Sequence, residues 1–179
     1  MSFYLRVSSD SISSAFSKLT QRTSDPRPAL RSVGEFLLLR TQERFDSEVD
    51  PEGKSWAPLA ASTLRSKRNR KILTESTALR RSIVYRVSDA GVEIGTNIDY
   101  ASIHQFGGAI AQAARTRTLN FRIDRDGKSR FAKKKRANFQ QDVQVKARTV
   151  VIPQREFLGV SERDREEIAR IVMDHWREL

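Results

Sequence analysis

Few side chains in this chain could do chemistry on a substrate. The 179 residues include two histidines and no cysteine, so neither a thiolate metal site nor a disulfide can form. One grouping has the residue types of a hydrolytic triad: Asp99, Ser102 and His104. Ser102 and His104 would lie on one face of a strand with no nucleophile elbow beside them, and triads are recognised by geometry. We therefore predict a structural role for His104, its imidazole donating to a backbone carbonyl in the turn at Gly107-Gly108.

Metal, phosphate and cofactor sites are not indicated either. His175 falls on the apolar face of a helix, and a zinc ion would need more ligands than the sequence supplies. Gly91, Gly95, Gly107 and Gly108 do not follow the spacing of a dinucleotide-binding or Walker A loop. We predict no catalytic residue, no metal, no cofactor and no enzyme activity.

The composition predicts a soluble, strongly basic protein. The formal net charge is +11 and the pI is near 10.5, which favours acidic partners such as nucleic acid or acidic protein surfaces. The chain is long enough to bury one core, and we expect a single domain over residues 1–179. No secretory signal or membrane-spanning stretch is indicated, so we expect synthesis in the cytoplasm.

Two helices have the clearest periodicity. Apolar residues recur at helical spacing over residues 29–46, with Val33 on the inner face and Arg40 facing water. A C-terminal helix begins at the N-cap Ser161, where Asp164 forms a weak capping box.

Shorter elements are predicted between and before these helices. Pro51 and Gly53 force a turn, and Trp56 then returns to the core as an anchor. A third short element at 100–106 joins two strands in an antiparallel sheet. Short helices are predicted at 11–20, 62–67 and 73–83, and strands at 3–7, 84–87, 92–94 and 143–152, the last returning the chain to the core. The fold class is α+β: a long helix and a C-terminal helix packed on a small antiparallel sheet, with an extended basic β-hairpin arm.

Most of the excess positive charge lies in this arm, at about 109–148. Ten cations there outnumber two aspartates between positions 115 and 136, which gives a net charge of +8. They are Arg115, Arg117, Arg122, Arg125, Lys128, Arg130, Lys133, Lys134, Lys135 and Arg136.

The same segment carries a hairpin signal. Leu119, Phe121 and Ile123 alternate with polar residues, and Asp126-Gly127 supplies the positive φ of a tight turn. Phe131 would then lie on the return strand. A two-stranded arm is marginal on its own, so we expect this one to order against a partner.

Three sequence blocks, in a fixed order along the chain, resemble the phage virion morphogenesis family, the tail-completion or neck proteins of Mu-like and P2-like phages. The resemblance implies that these blocks are determinants of fold and assembly. At Ser76 or Thr77 the family usually has a glycine. The matching residues are Pro51, Gly53 and Trp56; Tyr100, Ala101, His104, Gln105, Phe106, Gly107 and Gly108; and Pro153, Arg155, Phe157, Leu158 and Gly159.

The resemblance implies a non-enzymatic structural protein of the virion, made in the host cytoplasm and located at the neck or tail end. Its role would be tail completion or head–tail joining. The implied partners are other copies of itself in a ring (a hexamer by the usual symmetry of tails), the tail tube, and head-closure or neck proteins. Phage DNA in the channel is a further, non-specific contact, and no membrane is involved. Head-to-tail contacts would close the ring, and a strand of the arm could add to a neighbour's sheet edge.

The arm leaves alternatives open. Its cations could dock on acidic protein faces, contact nucleic acid, or form only a solvated surface. The rival function is a basic nucleic-acid-binding accessory protein in DNA packaging or replication, which predicts a steep salt dependence of duplex affinity. No sequence-reading motif is present. A hydrolase using His104 is the third class, and it predicts an activity that His104→Ala removes.

Overall fold

The computed structural model describes residues 3–6, 25–88 and 91–177, and its fold is α+β. It contains two compact units, named here the body (residues 1–107 and 153–179) and the ribbon (Gly108–Ile152). The helices are α1 (Arg27–Ser47), α2 (Ala61–Ser66), α3 (Ala78–Arg81), α4 (Ala101–Phe106) and α5 (Glu162–Arg177). The strands are β1 (Phe3–Arg6), β2 (Val84–Ser88), β3 (Gly91–Thr96), β4 (Gly108–Gln112), β5 (Arg115–Ile123), β6 (Ser129–Phe131), β7 (Phe139–Val145) and β8 (Arg148–Ile152), with a 3-10 turn at Lys134–Arg136.

The body is built on a three-stranded antiparallel sheet in the order β1-β3-β2. The central strand β3 buries Val92, Ile94 and Thr96. This confirms the predicted small sheet and the first strand as far as Arg6; Val7 and the predicted helix at 11–20 lie outside the described residues.

Helix α1 packs against this sheet through a close approach that requires a glycine. A Cβ built on Gly34 would lie 2.2 Å from the ring of Tyr85 on β2, so any larger residue would force the two elements apart. The same helix buries Leu30, Val33 and Leu37. The long helix predicted over residues 29–46 is therefore confirmed, since α1 spans Arg27–Ser47.

Helix α5 begins with a reciprocal capping box. The Asp164 amide donates to the Ser161 hydroxyl (3.2 Å), and the Ser161 amide donates to the Asp164 carboxylate (3.1 Å). Two N–H groups at the start of the helix are thereby satisfied. Ile168 and Val172 follow on the buried face. The predicted N-cap is confirmed, and the aspartate performs the role that glutamate usually has.

The turn after α1 also follows the prediction. The backbone amide of Asp50 donates to the Lys54 carbonyl (2.8 Å), and that of Gly53 donates to the Asp50 carbonyl (3.0 Å). Gly53 has a φ of +83°, a conformation that favours glycine. The turn brings Trp56 back to the body, where the indole is buried.

One element of the body differs from the prediction. Residues 101–106 form the helix α4, whereas the sequence suggested a third short element of the sheet. The prediction was wrong because six residues are too few for a helical period to be distinguished from the alternation of a strand. The helix ends at Gly107 (φ +70°), and Gly108 also has a positive φ (+147°), a backbone conformation that favours glycine at both positions.

The ribbon consists of β4 paired with β8 and β5 paired with β7, all antiparallel. Both ladders share one register, which runs from Gly108↔Ile152 to Phe121↔Phe139 with two residues on each strand unpaired between the ladders. At the far end β6 pairs with β5, opposite Phe121 to Ile123. The hairpin signal is thus confirmed, but the sheet has three strands here, so the prediction of a two-stranded arm is wrong.

Two further details of the ribbon correct the prediction. The β5–β6 loop spans residues 124–128 and holds Gly127 at φ +73°, so the turn is longer than a tight two-residue hairpin. Strands β7 and β8 were expected to return to the core, yet no residue of Gly108–Ile152 is buried, and Val151 is 73% exposed. The alternating valines belong to the ribbon itself.

Among the helices of residues 25–88 and 91–177, none combines the length and apolar character needed to cross a bilayer.

Candidate functional site

The three sequence blocks converge in the body. The indole of Trp56, in the first block, donates to the Glu156 carbonyl in the third block (2.9 Å). The guanidinium of Arg155 returns the connection by donating to the carbonyls of Ala57 (2.8 Å) and Pro58 (3.0 Å). The first and third blocks are therefore joined in both directions, although they are about a hundred residues apart.

Gln105 joins the second block to the third. Its side-chain amide donates to the Leu158 carbonyl (2.7 Å), and its side-chain oxygen accepts from the amides of Phe157 (3.1 Å) and Leu158 (3.0 Å). The Arg155 amide also donates to the His104 carbonyl (2.7 Å). Gln105 is buried, so one side chain here satisfies backbone groups that would otherwise be costly to bury.

Aromatic packing completes this junction. The ring of Phe45, at the end of α1, contacts Trp56 edge-on (5.5 Å between centroids) and lies 5.4 Å from the ring of Phe157. Trp56 is 6% exposed and Phe157 is fully buried, which confirms the interpretation of Trp56 as a core anchor. At Gly159 an added Cβ would lie 2.4 Å from Pro51, so these two motif residues fit only because position 159 has no side chain.

A buried ion pair ties α1 to the start of α5. The Arg44 guanidinium donates to the Asp164 carboxylate (2.6 Å) and to the Gly159 carbonyl (2.8 Å), and Arg40 donates to the other carboxylate oxygen (2.9 Å). Arg40 was expected to face water; its side chain is 35% exposed and also pairs with Glu43, so the prediction is only partly confirmed. Burial alone would raise the pKa of Asp164, but the hydrogen bonds from Arg40 and Ser161 and the charge of Arg44 outweigh it and hold the pKa below its usual value.

Asp99, Ser102 and His104 have the residue types of a hydrolytic triad but are not arranged as one. The Ser102 hydroxyl lies within 3.5 Å of the Asp99 carbonyl, and the His104 ring packs edge-on against Tyr100 at 5.9 Å. The buried Nδ1 of His104 has no hydrogen-bond partner among the described residues, so the predicted bond to the glycine turn is not made by this atom. Burial, and secondarily the charge of Arg155, lowers the pKa of His104.

The remaining candidate ligands are not assembled into a site. Within residues 3–6, 25–88 and 91–177 no group of three or more histidine and acidic side chains could hold a metal ion. His175 is half-buried on α5, as expected at the edge of a core.

Some motif residues reach the surface instead of the junction. Tyr100 and Phe106, on either end of α4, are 48% and 60% exposed. Gly53, Gly108 and Pro153 are also exposed. The motif is therefore divided between residues that hold the body together and residues that are accessible to a partner.

An acidic hollow lies beside the junction on the body. It has a volume of about 320 Å³, and its lining includes Trp56, the two carboxylates Asp50 and Glu156, and one cation, Lys54. Burial, followed by repulsion from Asp50, raises the pKa of Glu156. Asp50 and Glu156 are about a hundred positions apart in the sequence and come together only through the fold.

The ribbon carries the predicted cations, all of them exposed. The segment Gly108–Ile152 holds twelve Lys and Arg against three Asp, a net charge of +9 out of the chain's +11. The structure gathers six of the ten predicted cations around one cavity of about 810 Å³ and leaves Arg115, Arg117 and Lys128 outside it. Arg125 lines a neighbouring cavity of about 450 Å³. The six are Arg122, Arg130, Lys133, Lys134, Lys135 and Arg136.

One face of the β6-β5-β7 sheet is aromatic and apolar instead of charged. Phe121 is the cross-strand partner of both Phe131 and Phe139, so the three rings share a face, with centroids 4.9 Å and 6.2 Å from that of Phe121. Phe131 is 75% exposed and Phe139 is 46% exposed. Alternation in β5 signalled this face, but the contribution of Phe139 could not be foreseen without the register of β7.

One comparison with known proteins identifies relatives of this chain. A family model described as the phage virion morphogenesis family matches residues 7–177, almost the full length. No curated protein and no solved structure matches the chain.

Proposed function

The chain belongs to the phage virion morphogenesis family, and on that premise we propose that it acts in tail completion or head–tail joining at the neck of the virion. The family makes it a structural protein of phage assembly that is associated with the virion and interacts with other virion proteins. We also propose that it is not an enzyme. The positions of Ser102 and His104, which make no hydrogen bond to each other, support this view.

The proposed mechanism is self-association into a ring in which the ribbon docks on the neighbouring subunit. The observation that carries it is that no residue of Gly108–Ile152 is buried, although the segment is folded into β-ladders. Two- and three-stranded sheets are marginal in water when no face is covered. A neighbouring subunit on the aromatic face around Phe121 and Phe131 would supply the missing cover.

The backbone of β5 offers a specific place for a neighbour's strand. Strand β6 covers one side of β5 only from Phe121 outward, and the Asn120 carbonyl is the last group bonded on that side, by the Ala132 amide (2.9 Å). By alternation, the backbone groups of Thr116 and Thr118 face the same side, where no strand is paired among the described residues. Such an open edge can accept an added strand.

Charge supports a head-to-tail arrangement. The ribbon is strongly positive, whereas the hollow on the body has two carboxylates, Asp50 and Glu156, against one cation, Lys54. Unlike surfaces on one molecule attract in a heterologous contact, and such contacts close into rings when the rotation permits. A sixfold ring would match the usual symmetry of tails. The tail tube and head-closure or neck proteins are the proposed neighbours above and below it.

The test in the phage is electron microscopy of a lysate in which this gene is disrupted. We expect full heads beside separate tails, or tails of abnormal length. Intact, normally joined virions would overturn the neck role. They would favour the rival proposal of a nucleic-acid-binding accessory in packaging or replication, for which the ribbon's charge is the supporting observation.

A second test addresses the ring with purified protein. Gly108 and Ile152 are cross-strand partners, so the ribbon can be replaced by a short glycine-serine linker without stretching the body. We expect the full chain to assemble and the shortened chain to remain a folded monomer in sedimentation velocity. Assembly of the shortened chain at the same concentration would contradict docking through the ribbon.

A further inference from the structure

The basic cavity of the ribbon is lined on one side by the strands β5 and β6 and on the other by the turn that follows β6. Arg122 and Arg130 are cross-strand partners on β5 and β6, so their side chains leave the same face of the sheet. The second wall is the turn from Lys133 to Arg136. Three residues per 3-10 turn place Lys133 and Arg136 on one side of it, facing the same cavity.

The single carboxylate at the cavity acts on one cation only. Asp124 accepts two hydrogen bonds from one guanidinium nitrogen of Arg130, at 2.9 Å and 2.7 Å. This exposed ion pair compensates the charge of Arg130. Among the described residues, none of the other five cations of the cavity is paired with a carboxylate. Five uncompensated charges held around one concavity favour binding of a polyanion.

We propose that this cavity binds the phosphate backbone of duplex DNA without reading its sequence. Repeated single negative charges along a strand suit several separate cations better than one bidentate partner does. Protein–protein interfaces are depleted in lysine, whereas this cavity contains three consecutive lysines, Lys133 to Lys135. Contacts of lysine with phosphate fix position and carry no sequence information, which agrees with the absence of a reader motif in the sequence.

This site borders one of the surfaces used in the proposed ring. Thr116 and Thr118, at the open edge of β5, do not line the cavity, whereas Phe131 of the aromatic face does. Substitution of Lys133 to Arg136 leaves Phe131 and the open edge unchanged, so a loss of DNA binding can be distinguished from a loss of assembly.

The experiment measures binding of the full-length protein to a short fluorescent duplex of arbitrary sequence over a series of salt concentrations. Two variants are compared, and each loses four positive charges from the ribbon at different positions. The cavity variant carries Lys133→Gln, Lys134→Gln, Lys135→Gln and Arg136→Gln. The matched control carries Arg115→Gln, Arg117→Gln, Lys146→Gln and Arg148→Gln, at positions that do not line the cavity. Circular dichroism checks that both remain folded.

We expect the cavity variant to bind more than about tenfold more weakly, with the slope of log affinity against log salt smaller by about 3 to 4, since each phosphate contact contributes about 0.9. The control should lose less than about threefold. A third variant, Lys133→Arg with Lys134→Arg and Lys135→Arg, keeps the charge and should bind like the native protein.

Three results would overturn the proposal. Equal losses in the two glutamine variants would mean that only diffuse charge attracts DNA. Absence of binding by the native protein at the lowest salt would remove the site altogether. Displacement of the duplex by polyglutamate at a matched concentration of charge would indicate an acidic protein surface as the partner.

Discussion

The body and the ribbon solve the same folding problem in different ways. The body buries Leu37, Phe45, Trp56 and Phe157 in one core and satisfies the backbone around them with Gln105 and Arg155. The ribbon has ladders of hydrogen bonds but no buried residue, and it carries +9 of the chain's charge of +11. Hydrophobic burial is the dominant favourable term in folding. The body therefore specifies its own structure through its core, whereas the ribbon leaves its aromatic face exposed.

The sharpest test of this difference is a matched pair of aromatic truncations. Phe157→Ala removes a fully buried ring from the body and should lower the free energy of unfolding by about 3–5 kcal/mol. Phe131→Ala removes a ring that is already 75% exposed in the ribbon and should change it by less than about 1 kcal/mol. Urea denaturation followed by tryptophan fluorescence measures both. Similar losses in the two variants would mean that the ribbon shares the core of the body.

A second matched pair compares ion pairs. Asp164→Asn leaves Arg44, whose side chain is 4% exposed, without its counter-charge, and should cost about 3 kcal/mol. Asp124→Asn breaks the exposed pair with Arg130 and should cost less than about 1 kcal/mol. Thermal unfolding at neutral pH provides the measurement. A loss at Asp124 as large as that at Asp164 would show that the ribbon is held by electrostatics.

Acid should weaken the body in two stages. The pKa of His104 is lowered in the folded state, so unfolded chains take up the proton first, and stability present above pH ~6.5 is lost as the pH falls toward the folded pKa. Asp164, whose pKa is also lowered, adds stability that is present above pH ~3.9 and lost below it. Each group contributes at most about 1.4 kcal/mol per pH unit.

The first stage can be isolated with His104→Gln, which cannot titrate. Stability of this variant, measured by urea denaturation from pH 7.5 to pH 5, should not show the decline seen in the native chain. A decline of the same size in both proteins would assign it to other groups.

The smallest expected change is an increase in the free energy of unfolding. Thr77 has a φ of +55°, in the left-handed region that costs a residue with a Cβ about 1–2 kcal/mol. Glycine has no Cβ and adopts this conformation without that cost, so Thr77→Gly should raise the free energy of unfolding by about 1 kcal/mol. Thermal unfolding would detect it. A loss of stability would show that the threonine side chain makes a contact worth more than the backbone strain.

The sequence foretold the parts of this structure that rest on local periodicity or turn chemistry. Helix α1, the N-cap at Ser161, the turn at Gly53 and the hairpin through Gly127 all follow from neighbouring residues. Helix α4 was mistaken for part of the sheet because six residues give too short a pattern.

Contacts between distant residues could not be foreseen. Arg44 and Asp164 are 120 positions apart, and an arginine near the end of a helix is more often solvated. Gln105 lies in a motif that the sequence did identify, yet its hydrogen bonds to Phe157 and Leu158 require the fold. All six cavity cations are among the ten predicted from the sequence, but which of the ten line the cavity depends on the register of β5 with β6 and on the turn at Lys134–Arg136.

Because the two ribbon ladders share one register, the length of this segment can change without a change in its strand pairing. From Gly108↔Ile152 to Phe121↔Phe139, each step along one strand is matched by a step back along the other. Adding two residues to each strand would move the tip outward by about 7 Å and keep every side chain on its present face. Adding one residue to a single strand would break the pairing. We expect related chains to vary the reach of this segment in such even, paired steps while the body stays unchanged.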